Sequence, residues 1–84
     1  MRAAEALGPA VARLEAAGVE GAARDARVLL AHALGVGADR LTLHLSDEMT
    51  EPQACVYEEA LAAREARQPV AQITGRRLFW GLPF

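Results

Sequence analysis

Ala26, Leu29, Leu30, Ala33 and Leu34 recur at i, i+3, i+4, i+7 and i+8, an unbroken apolar stripe along one face of a helix. A strand of period two cannot gather these residues on one side, so the stripe commits residues 21–34 to a helix. Nineteen alanines among 84 residues, with leucines at the same spacing on both flanks, extend that commitment to most of the chain. The expected fold class is all-α: a small bundle of four to five helices with a C-terminal extended arm. A chain of this length buries only about 60–65% of its unfolded surface, so one domain of modest stability is expected.

The flanking helices follow from the same periodicity and from their end signals. A first helix is expected from Ala3 to Ala17, with Leu7, Val11 and Leu14 on one face and Gly18 just past its end. Gly8-Pro9 interrupts it, because a mid-helix proline removes a hydrogen bond and crowds the preceding turn. The helix either begins at Pro9 or kinks there, and the residues alone leave both open. Gly21 is the expected N-cap of the second helix, with Gly35 and Gly37 bracketing its end; Arg24 and Asp25 should face solvent or pair locally. Leu41, Leu43 and Leu45 alternate as in a strand, yet no partner strand lies nearby, so a short helix after Asp39 is expected.

Thr50-Glu51-Pro52-Gln53 has the form of a capping box, predicting a helix to about Ala66 that buries Ala54, Tyr57, Leu61 and either Val56 or Ala60. Neither Glu58 nor Glu59 has an arginine three or four residues on, so no ion pair within the helix is expected. Arg64 and Arg67 fall near its last turn, where cations suit the helix dipole. Pro69 starts a shorter helix to Thr74 that turns Val70 and Ile73 inward and stops at Gly75. Beyond it, Leu78, Phe79, Trp80, Leu82 and Phe84 have strand-type composition broken by Gly81 and Pro83, hence the extended arm.

Charge and motif content narrow the function. The formal net charge is −2, and all nine basic residues are arginine. That balance disfavours a dedicated nucleic-acid binder, which needs a basic face for phosphates. Arg24, Arg27, Arg64 and Arg67 are the only support for such a module. No run of about eighteen apolar residues spans a membrane, and Glu5 with Gly8-Pro9 breaks any leader-like run, so a cytoplasmic setting is expected. Cys55, the single cysteine, reads as a small buried hydrophobe.

His32 and His44 lack companions at metal-ligand spacing. Gly35-Val36-Gly37 lacks the third glycine and the preceding strand of a dinucleotide fingerprint. Asp47-Glu48 reads as a solvated turn. No catalytic, cofactor-binding or metal-ligating residue is assigned, which leaves a binding module or a purely structural bundle.

The C-terminal stretch adds what the helices do not. Three of the four aromatic residues, Phe79, Trp80 and Phe84, crowd the last six positions, as though the chain continued into something they pack against. Pro69-x-x-x-Ile73-x-Gly75-x-x-x-Phe79-x-Gly81-x-x-Phe84 resembles the segment that joins the two domains of HemK-type release factor glutamine methyltransferases. Asp25-Ala26-Arg27-Val28-Leu29-Leu30-Ala31-His32-Ala33-Leu34-Gly35 looks like the second helix of that family's small N-terminal domain. The chain departs from the family at Gln72, where an aromatic or histidine is usual, at Gly21-Ala22, often Ser-Pro, and at Gly8-Pro9.

The resemblance implies a helical substrate-recognition domain over residues 1–75 and the start of an interdomain linker over 76–84. It implies a parent enzyme that moves a methyl group from S-adenosylmethionine to the glutamine of a Gly-Gly-Gln motif in class-1 peptide chain release factors. The family's cofactor loop and its Asn-Pro-Pro-Tyr motif lie beyond Phe84, so these 84 residues alone should be non-catalytic and should hold no cofactor. Expected partners are a class-1 release factor and the catalytic domain. Arg76, Arg77, Phe79, Trp80 and Phe84 are the candidate contacts.

Overall fold

A computed structural model describes residues 1–75, and these form four α-helices and one 3₁₀ helix. α1 spans Ala3–Ala16, α2 Ala22–Leu34, α3 Glu51–Glu65 and α4 Val70–Gly75, with the 3₁₀ helix at Ala38–His44 between α2 and α3. The bundle is all-α, as the stripes predict. α2 is its hub, packing against α1, α3, α4 and the 3₁₀ helix. Leu14, Leu29, Leu30 and Leu41 are its largest fully buried side chains.

α1 runs unbroken through Pro9, which settles the question left open by Gly8-Pro9. Gly8 has no Cβ to clash with the proline ring, and Glu5, whose carbonyl loses its helical partner at Pro9, is an exposed residue, as Pro9 is. The buried stripe of α1 is Ala3, Ala6, Ala10 and Leu14, with Leu7 and Val11 only half-buried beside it. The expected face is therefore rotated toward the alanines, whose small size lets α1 lie close to α2. Backbone carbonyls from the loop before α3 cap its start, accepting from the Ala3 and Ala4 N–H groups at 2.9 and 2.8 Å.

Three helices end in the same motif. Gly18 and Gly35 take left-handed conformations, and the next residue's N–H reaches back to Leu14 and Ala31 carbonyls. α3 repeats the pattern with Arg67 (φ 74°) in the position glycine normally fills. L-residues adopt that conformation at a cost of about 1 kcal/mol. Arg67 offsets it by donating from its guanidinium to Ala17 O at 2.8 Å and Gly18 O at 3.3 Å, the open carbonyls at the end of α1.

α3 opens on the expected capping box: Gln53 N–H donates to Thr50 Oγ1 and Thr50 N–H to Gln53 Oε1. Tyr57, Ala60 and Leu61 are buried, and Val56 is half-buried. Ala54 is exposed, contrary to expectation, because α1 and α3 leave a recess there. Cys55 beside it is exposed too, not a buried hydrophobe. α4 begins one residue later than expected. The Pro69 carbonyl accepts from Gln72 and Ile73, so Pro69 caps the helix, and Gly75 is its last residue, not a residue beyond it. The candidate contacts Arg76, Arg77, Phe79, Trp80 and Phe84, and the expected arm, lie outside the described residues.

Candidate docking groove

α1 and α3 start side by side, with Met49 N–H donating to the Met1 carbonyl at 2.9 Å, and run in the same direction. Between them lies an open, mostly apolar groove of about 220 Å³. Ala6, Pro9 and Ala10 form one wall and Ala54, Tyr57 and Leu61 the other; Met1 and Met49 stand at one end. The small side chains of Ala6, Pro9, Ala10 and Ala54 leave the space between the two helices unfilled. Tyr57 stiffens its wall. Its hydroxyl crosses to α2 and donates to the Ala26 carbonyl at 2.9 Å, and burial pushes its pKa up to about 12.

The other end is charged. Arg13 reaches from α1 to α3, with Nη1 2.6 Å from Glu58 Oε2 and Nη2 2.9 Å from Glu65 Oε1. Its hydrogen bonds to the two carboxylates hold it firmly protonated, and the Arg13 hydrogen bond holds Glu65 below the usual carboxylate range. Glu58 finds its partner on another helix, where no local spacing rule looks. The hint in the sequence was an α3 carrying acids without helical partners and an arginine in the last turn of α1.

Two further arginines are absorbed by the fold. Arg64 Nε donates to Asp25 Oδ2 at 2.9 Å and its Nη1 to the Gln68 carbonyl at 3.1 Å. Asp25 is thus mostly buried, with 14% of its side chain exposed, and is paired across the bundle; solvent-facing or local pairing was expected. Arg64 and Arg67 therefore hold the bundle together, leaving Arg24 and Arg27 of the four that supported a nucleic-acid reader. His44 pairs with Asp47 at 2.9 Å on the surface. His32 Nε2 is shut away from solvent without a partner among the described residues, and burial lowers its pKa. Among those residues no three or more His, Cys, Asp or Glu side chains are placed so that they could hold a metal ion.

Gly35 and Gly37 lie between α2 and the 3₁₀ helix, with no strand ahead of them to aim a cofactor loop. No described helix is long and apolar enough to cross a membrane.

Comparison with known proteins decides the family. The sequence model of the PrmC N-terminal domain matches residues 5–75, nearly the whole described bundle. The chain belongs to the PrmC N-terminal domain family. It is 62% identical over 84 residues to a release factor glutamine methyltransferase of Cereibacter sphaeroides, covering all of this chain and 30% of that protein. Proteins with the same name in Rhodospirillum rubrum and Escherichia coli (strain K12) are 43% identical over 68 residues and 34% over 77. Those alignments cover 81% and 92% of this chain but 21% and 27% of the relatives. This PrmC N-terminal domain thus spans less than a third of the relatives' length. No solved structure was found to match it.

Proposed function

We infer that residues 1–75 are the docking domain of an S-adenosylmethionine-dependent methyltransferase that acts on the Gly-Gly-Gln glutamine of class-1 peptide chain release factors in the cytoplasm. Residues 76–84 begin the linker to the catalytic domain, with Arg76, Arg77, Phe79, Trp80 and Phe84 as interdomain or partner contacts. The observation that carries this is the match of the PrmC N-terminal domain to residues 5–75, joined to relatives named release factor glutamine methyltransferases. Arg13, Arg64 and Arg67 tie the helices of the bundle together, so that it can present one fixed surface to a partner. S-adenosylmethionine supplies an electrophilic methyl group to the rest of the protein; the bundle's contribution is to hold the substrate protein where the glutamine reaches it.

Deleting residues 1–67 from the full-length protein tests the proposal. The remainder should still bind S-adenosylmethionine while methylating intact release factor about a hundred-fold less efficiently, the scale expected when positioning is lost. Unchanged methylation by the shortened protein would reduce the bundle to a structural appendage.

A further inference from the structure

The groove between α1 and α3 has three properties that suit it to receive a side chain. An engineered apolar cavity of about 150 Å³ admits benzene, so about 220 Å³ has room for a large aliphatic or aromatic side chain. Ala54 faces that space exposed on an otherwise well-anchored helix, and its small side chain keeps the recess open. Met1 and Met49, unbranched and polarizable, can adapt to what enters.

The charged end adds direction. Glu58 and Glu65 share a single guanidinium, leaving one excess negative charge, and the Glu58 side chain is 65% exposed. A cation arriving there is favoured, an anion opposed.

We propose that this groove is where the bundle grips its protein partner, seating one large apolar side chain between Ala54 and Ala10 with a lysine or arginine of the same partner segment against Glu58. The proposal rests on the docking function inferred above; the occupant is a surface segment of the release factor that carries an apolar side chain next to a basic one. Arg13 then has two roles. It ties α1 to α3, and it sets how much of the Glu58 charge remains for the partner.

The test uses full-length protein, intact release factor and a short Gly-Gly-Gln peptide as substrates. Ala54→Arg fills the recess and brings a cation where the partner's own cation belongs. Ala23→Arg, on the exposed side of α2 and away from the groove, makes the same charge change. Ala54→Arg should raise KM for the intact factor about ten-fold or more, the loss typical of a blocked anchor site, with kcat and the kinetics on the peptide unchanged. Ala23→Arg should stay within about two-fold of the unmodified protein, as surface changes outside a contact do. Glu58→Gln should raise KM about two- to five-fold and flatten its dependence on salt. Melting curves verify that each variant is folded.

A folded Ala54→Arg variant with unchanged KM, in a protein that still prefers the intact factor to the peptide, overturns the groove and leaves the docking function standing. If the unmodified protein takes the peptide as readily as the intact factor, the docking function fails and the groove with it.

Discussion

Tyr57 shows how one polar atom fixes a helix pair. Its hydroxyl is the buried bridge from α3 to the α2 backbone, so Tyr57→Phe should destabilise the domain by about 0.5–1.5 kcal/mol. Its pKa is raised in the folded state, so the unfolded chain ionises first. Stability should fall as pH rises from about 10 toward 12, and the phenylalanine variant should lack that loss in urea titrations. His32 works in the opposite direction. Burial lowers its folded pKa below the ordinary value of about 6.5, so stability is full above that pH and declines as pH falls below it. His32→Leu removes a buried nitrogen without a partner and should abolish that part of the decline; an unaltered pH profile would show that other groups cause it. The sequence marked Tyr57 for burial but not its bond. That bond depends on where α2 lies, which no spacing within α3 contains.

At the scale of elements, helix ends were the most legible features and helix partners the least. Thr50 and Gln53 announce their capping box, and Gly18 and Gly35 their left-handed stops, because those motifs are complete within a few residues. Arg67 was readable only as a cation near a helix end; its left-handed backbone breaks the preference for glycine there, and its bonds reach Ala17 and Gly18, some fifty positions away. Two substitutions separate these effects. Arg67→Ala keeps the strain and loses the bonds, and should cost about 1–2 kcal/mol. Arg67→Gly loses the bonds but relieves the strain, and should be the more stable of the two by about 1 kcal/mol in thermal melts. Arg13 is the corresponding tie at the groove. Its two exposed or half-exposed carboxylate partners limit Arg13→Met to a loss of about 1 kcal/mol or less, smaller still in high salt.

For the molecule as a whole, the alanine and leucine periodicity made the all-α bundle plain, and the spacing of Asp25 to Gly35 and Pro69 to Phe84 pointed to the family to which the chain proves to belong. What periodicity could not show was the rotation of α1 toward its alanines or the opening of the α1–α3 groove, since both depend on how closely two helices approach across α2. Ala54 illustrates the limit. Its position in the helical repeat marks it for the core, yet the facing alanines and Pro9 of α1 are too small to cover it. The central claim is that this surface meets the release factor, and amide hydrogen exchange on the full-length protein with and without the factor tests it directly. Exchange in α1 and α3 should slow when the factor binds, most of all around residues 6–10 and 54–58. Slowing confined to the chain beyond residue 75, with α1 and α3 unchanged, would contradict it.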